Sequence, residues 1–126
     1  MTYLETVRLA DAAHVPAAAL PHGDQRKLEV ALLAAMEPDI LMFDEPTAGM
    51  SVDEVPVILD LIAAIKKDTS KTVLLVEHKM NVVRALADRI VVLNNGELVA
   101  DGDPETVIAL PVVREIYRGL PAEEGA

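Results

Sequence analysis

Residues 39–43 (Asp-Ile-Leu-Met-Phe) and Lys71 to Val76 (with Thr-Val-Leu-Leu-Val) are two short, almost continuous apolar runs. Each reads as a strand buried on both faces, as in a parallel sheet. Between them Ile58, Leu61, Ile62 and Ile65 recur at three- and four-residue spacing, which predicts a helix over about 53–67. A strand, a helix and a second strand in that order form a crossover unit, which lays the two strands parallel. A short helical stretch at 79–88 and a third apolar run, Ile90 to Leu93, repeat the pattern. Asn95-Gly96 is then a strong type I′ hairpin signal, with Glu97 to Ala100 as the returning strand. The expected fold class is α/β, a mostly parallel sheet with crossover helices and a C-terminal antiparallel hairpin.

The remaining elements follow from caps and breakers. Leu4, Val7 and Leu9 make a weak amphipathic helix of residues 1–13, and the Ala/Pro-rich stretch from Ala12 to Pro21 reads as a connector. Leu28, Ala31, Leu32, Ala35 and Met36 predict a helix over 24–37, with Asp24 suiting its positive end and Pro38 stopping it. Ser51 and Glu54 spell a capping box, but Pro56 would then interrupt the first helical hydrogen bonds. A cap at Asp53 places Pro56 in the tolerant first turn and is the preferred reading. Asp103 caps a helix begun by Pro104, a last helix covers 111–118, and the final residues read as a loose tail.

Composition narrows the function classes. Of 126 residues 52% are hydrophobic, enough for a sizeable core, and the aromatics are only Tyr3, Phe43 and Tyr117. The core is therefore aliphatic, and a nucleic-acid surface of stacked aromatics is not expected. Eleven basic against 21 acidic residues give a net charge of −10, which repels phosphate backbones at long range. No nucleic-acid partner is expected. The absence of cysteine removes disulfide, Cys-zinc and thiol chemistry. No apolar stretch approaches the roughly 18–20 residues of a membrane span, and the N-terminus lacks a secretory layout, so a soluble intracellular protein is expected.

Asp44 and Glu45 directly follow the first strand, and ligands of open parallel sheets bind outside the carboxyl ends of strands. One carboxylate suits Mg²⁺, and a second suits orienting or deprotonating a water. The same four residues also suit a solvated acidic loop before a Pro turn. His78 closes the next strand, so parallel strands joined by the 53–67 helix would bring it to the edge that carries Asp44 and Glu45. Taken alone, His78 suits a strand end or helix start, and Glu77 suits a structural or a solvent-facing role. Gly23 opens a helix whose N–H groups could hold an anion, although Asp24 opposes one. His14 and His22 read as loop residues.

These pieces in this order resemble the C-terminal half of an ATP-binding cassette (ABC) ATPase domain. Leu20-Pro-His-Gly-Asp24 and the helix after it resemble the signature loop, and Ile40-Leu-Met-Phe-Asp-Glu-Pro46 the Walker B strand with its acid pair. Ala48-Gly-Met-Ser51 occupies the D-loop, and Val76-Glu-His78 resembles the switch-histidine segment. The Asn95-Gly-Glu hairpin and Ala100-Asp-Gly-Asp-Pro-Glu105 match the end of the domain. Within the family, Glu77-His-Lys-Met80, the His-Gly-Asp signature and Val112-Val-Arg-Glu-Ile-Tyr-Arg-Gly119 resemble branched-chain amino-acid-type importers.

The resemblance implies a P-loop NTPase-like fold lacking its N-terminal half. It implies a single partial domain over 1–126: the end of the helical subdomain at 1–20, the core at 21–110, and a last helix and tail at 111–126. It implies ATP and Mg²⁺ as cofactors, with Asp44 on the metal, Glu45 polarising the attacking water and His78 on the γ-phosphate. Leu20, Pro21, His22, Gly23 and Asp24 would face ATP bound on a second ABC ATPase subunit in a head-to-tail dimer. Transmembrane permease subunits would hold the assembly on the inner face of the cell membrane, in the cytoplasm.

Three main departures and one smaller one stand out. No Gly-x-x-x-x-Gly-Lys-Ser/Thr occurs, and none of the glycines (23, 49, 96, 102, 119 and 125) precedes a Lys, so the phosphate cradle is missing. Pro21 stands where Ser is usual, removing a hydroxyl and an N–H. Asp24 stands for Gln, and Ser51 for the D-loop Asp. The resulting expectation is the C-terminal portion of an importer's ATP-binding subunit, inactive by itself. The alternatives are a non-catalytic module docking onto an intact ABC ATPase or permease, and a free-standing metal-dependent hydrolase using Asp44, Glu45 and His78. A half-domain with open sheet edges is expected to associate or to need a partner.

Overall fold

The computed structural model describes residues 2–118, with residue 118 by its backbone only, so the C-terminal tail and Gly119 lie outside the described residues. The chain divides into two compact units, Met1–Glu77 and His78–Ala126.

The first unit is built on a parallel strand pair. β1 (Ile40–Asp44) and β2 (Thr72–Val76) run in register from Ile40 opposite Thr72 to Asp44 opposite Val76, joined by α3 (Val55–Lys66). The crossover predicted from the apolar runs is therefore present. The ladder extends one bond past each end: Thr72 N–H donates to Asp39 C=O and Glu45 N–H to Val76 C=O, both at 2.8 Å. Leu41 and Phe43 are buried, as are Ile58, Leu61 and Ile62 of α3. Burial on both strand faces does not hold. Ile40, Met42, Leu74 and Val76 are 60%, 68%, 53% and 54% exposed, so the strands alternate instead. With helix cover on one side of the pair, a continuous apolar run is only half used.

α1 (Tyr3–Thr6) is a single capped turn, with the Thr2 hydroxyl accepting from Glu5 N–H and the Glu5 carboxylate from Thr2 N–H. It stops far short of the 1–13 expectation because Arg8 enters the left-handed region at φ 61°. Leu9 N–H then reaches back to Leu4 C=O and Arg8 N–H to Glu5 C=O, a Schellman closure made without glycine. A short 3-10 turn, Ala17–Ala19, occupies the connector. α2 (His22–Ala35) begins two residues earlier than its apolar periodicity suggested, so His22 is helical rather than a loop residue. It ends where Glu37 turns left-handed at φ 48°, immediately before Pro38. α2 packs against both α1 and α3. At the start of α3 the cap is Glu54, not Asp53, and its side chain makes no capping bond to the helix. Its Oε2 instead accepts from Ser51 N–H at 3.1 Å, half of the box that Ser51 and Glu54 spell.

The second unit holds α4 (Met80–Leu86) and an antiparallel pair, β3 (Ile90–Asn94) with β4 (Glu97–Gly102). β3 pairs with β4 rather than extending the parallel pair, so the parallel and antiparallel parts form two sheets. The hairpin turns on Asn95 and Gly96 at φ 50° and 79°, the mirror-image turn that Asn-Gly favours. α5 (Pro104–Ala109) and α6 (Pro111–Arg118) follow, and Val92, Ala100, Val107 and Val113 form the core with Ile116 and Tyr117 against it. The Asp103 cap is present: its carboxylate accepts from Thr106 N–H and hydroxyl, which holds its pKa below the usual carboxylate value. Arg89 clamps Asp101 with two bonds of 2.7 and 2.6 Å.

The alternation of β1 separates two neighbouring residues. Leu41→Ala should cost about 2–5 kcal/mol and Met42→Ala less than about 1 kcal/mol in urea unfolding. Equal losses would mean that the strand is buried on both faces.

Candidate functional site

The carboxyl ends of β1 and β2 lie side by side, and the loops leaving them are bonded together. Asp44 is the last residue of β1 and is exposed. Glu45 turns the chain off the strand in the left-handed region, at φ 46°. A non-glycine residue there is strained by about 1–3 kcal/mol and persists only when its surroundings fix it. Two bonds do so: its N–H is tied to Val76 C=O, and its C=O accepts from Ala48 N–H at 3.0 Å. One turn on, Thr47 is fully buried, and its hydroxyl donates to Glu77 Oε1 at 2.8 Å. Glu77 thus has the structural role its sequence position suggested. The acid pair is held by a locked turn and not by a loose loop.

The segment Leu20–Asp24 meets a second loop of the same unit. Leu20 is half-buried, and its C=O accepts from Gln25 Nε2 at 3.0 Å. Pro21 caps α2 in an extended conformation with no side-chain bond, as expected of a residue without a hydroxyl. His22 opens the helix, and Gly23 is buried behind it. A Cβ on Gly23 would collide with Glu54 Oε1, and one on Gly49 would lie 3.1 Å from His22 Nε2. Residues 20–24 and 49–54 are therefore in direct contact. The charge of Asp24, which opposes an anion at this helix start, is partly offset by Lys27 Nζ at 3.2 Å. Glu54 brings a second carboxylate to the same place.

His78 is exposed and begins the second unit, directly after Glu77. Among the described residues no group of three or more His, Cys, Asp or Glu converges as a metal site. Asp44 and Glu45 offer hard oxygens that Mg²⁺ accepts, but these residues do not complete a site by themselves. A cavity of about 430 Å³ lies elsewhere, lined by Tyr3, Glu37, Pro38, Leu41, Asp68 and Lys71. It borders the amino ends of the strands, opposite the end where parallel sheets bind ligands, and holds none of the residues above. Sequence reasoning gave no role to Thr47 or to the Glu54–Gly23 approach. The Thr47 signal was faint, a hydroxyl in a Pro turn, and its partner is 30 positions away.

Relatives decide what this arrangement belongs to. The high-affinity branched-chain amino acid transport ATP-binding protein LivG of Escherichia coli is 41% identical over 118 residues, 94% of this chain and 46% of LivG. BraF of Pseudomonas aeruginosa, an ATP-binding protein of the same kind of transport, is 42% identical over 117 residues, 93% of this chain and 46% of BraF. Over most of its length the chain is similar to ATP-binding cassette transport proteins. Its fold agrees: the ADP conformation of MJ1267, an ATP-binding cassette of an ABC transporter, superposes with a TM-score of 0.79 at 27% identity. That match covers 93% of this chain and 47% of MJ1267. The chain thus spans about half the length of the curated relatives it matches. No protein-family profile matches it. The ABC resemblance drawn from the motifs is upheld, and so is the α/β fold class. No helix among the described residues is long and apolar enough to cross a membrane.

The buried link below Asp44 and Glu45 is testable. Thr47→Val keeps the shape but strips Glu77 of a charge-assisted bond, a loss of about 1–3 kcal/mol. Urea unfolding should show a lower midpoint at unchanged slope; a shift below about 0.5 kcal/mol would mean that the bond does not hold the turn.

Proposed function

We propose that these 126 residues form the signature-bearing and Walker B-bearing portion of an ABC importer's ATP-binding subunit, in a system taking up branched-chain amino acids. The observation that carries this reading is the match to LivG over 94% of the chain, with the motif segments in family order. In this reading Asp44 contributes one oxygen to Mg²⁺ held with nucleotide, and Glu45 polarises the attacking water. Its fixed backbone favours that task, because a base must be held within hydrogen-bond reach of the water. His78 contacts the γ-phosphate. Leu20, Pro21, His22, Gly23 and Asp24 face ATP bound on a second ABC ATPase subunit arranged head to tail. Permease subunits join the pair to the cytoplasmic side of the membrane.

A non-catalytic role, docking on an intact ABC ATPase or permease, is favoured by one feature. Pro21 leaves α2 without a side-chain cap and removes an N–H from the segment meant to face phosphate. Two carboxylates, Asp24 and Glu54, stand at the same helix start.

Phosphoryl transfer rests on positioning and charge neutralisation, and this sequence has no glycine-lysine phosphate loop. The isolated chain should therefore bind Mg-ATP more weakly than about 1 mM by calorimetry and show no turnover. Turnover that disappears in Glu45→Gln would overturn this, since the chain would then hold phosphate without that loop.

A further inference from the structure

We infer that the cavity at the amino ends of β1 and β2 is a binding site for a small organic cation, an ammonium head on a short apolar body. Its volume of about 430 Å³ lies within the roughly 300–1,000 Å³ of small-molecule pockets. Residues of α1, α2, β1, α3 and the turn before β2 converge on it. The lining divides by chemistry. Leu41, fully buried, forms an apolar wall with Ala34, Ala64 and Ile65. Glu37, Asp68, Lys71 and the Tyr3 hydroxyl are the polar groups. The site faces away from Asp44 and Glu45, so the inference does not rest on the ATPase reading.

Three features select a cation. Two carboxylates, Glu37 and Asp68, against one lysine leave the lining with a net negative charge. Both α2 and α3 end at the cavity, since Ala34 lies in the last turn of one and Ala64 and Ile65 in that of the other. The carboxyl end of a helix carries partial negative charge and favours an ammonium. Each carboxylate also keeps one oxygen in reserve. Tyr3 OH donates to Glu37 Oε1 at 3.2 Å, and the Ser70 N–H and hydroxyl donate to Asp68 Oδ1 at 3.1 and 2.6 Å. Among the described residues nothing donates to Glu37 Oε2 or Asp68 Oδ2. The Ser70 bonds and Lys71 hold the Asp68 carboxyl below the usual carboxylate value, so it is charged. Among the described residues no third acid, histidine or cysteine joins the pair as a metal site, and an ammonium needs fewer oxygens than a divalent ion. Lys71 Nζ donates to Pro38 C=O at 2.7 Å, and its two further N–H suit the carboxylate of an amino acid. The ammonium is the shared chemistry, and its source is either a plain alkylamine or an amino acid.

The test titrates the full 126-residue chain with isopentylamine, L-leucine and isocaproate, following amide chemical shifts by NMR. Isopentylamine or leucine should give saturable shifts at Leu41, Ile65 and Lys71, with dissociation constants on the order of 1–10 mM, and isocaproate none. Glu37→Gln with Asp68→Asn should weaken binding at least about fivefold. Both changes keep the acceptor oxygens that Tyr3 and Ser70 use, so the circular dichroism spectrum should hold. The isocaproate arm tests the same claim without altering the chain. Asp60→Asn with Glu97→Gln removes equal charge from exposed positions elsewhere and should bind as the unaltered chain does. Lys71→Met separates the sources: leucine binding that falls assigns an amino acid, and amine binding that holds or tightens assigns an alkylamine. No saturable shift, isocaproate binding as tightly as the amine, or equal losses in the two double variants would each overturn the inference.

Discussion

The bond from Glu45 N–H to Val76 C=O is where the strand ladder passes into the loop that follows Asp44 and Glu45. It is the last rung of the β1–β2 pair, and it forms only because Glu45 adopts a left-handed backbone. Below it the register places Asp44 beside Val76 and sets the end of the sheet. Beyond it the Ala48 bond closes the turn, and Thr47 drops into the interior to meet Glu77. Strain of about 1–3 kcal/mol at one residue is offset by several hydrogen bonds of about 1 kcal/mol each. Removing the ladder would free the acid pair.

The same local economy shapes the Leu20–Asp24 segment. Without a serine hydroxyl, α2 starts on Pro21, and the nearest polar group to Gly23 is a carboxylate from the start of α3. Glycine permits that approach, since any Cβ would displace Glu54 from Ser51 N–H. An acidic chain with two further acids at this helix start is a poor host for a free anion.

Much of this was legible from residues alone. Two apolar runs flanking a helical repeat announced the parallel pair, Asn95-Gly96 announced its turn, and Asp103-Pro104 its helix, because each signal is local chemistry. The failures share a different cause. Residues 1–13 did not continue as one helix because Arg8 accepted a conformation usually left to glycine. The cap moved from Asp53 to Glu54 because a side-chain bond to Ser51 competed with it. The strands looked doubly buried because composition records what a face can bury and not whether anything covers it. Thr47 and Glu77 were not legible as a pair because the crossover brings their segments to one edge, while the pairing of individual side chains 30 positions apart depends on the exact register and on the turn at Glu45.

The sharpest test of this account is amide hydrogen exchange at the end of the ladder. Glu45 N–H should be among the most slowly exchanging amides of the first unit, alongside those of β1 and α3, despite lying in a loop. Fast exchange at Glu45 with β1 and α3 still protected would contradict it, because the turn carrying the acid pair would then be unpinned.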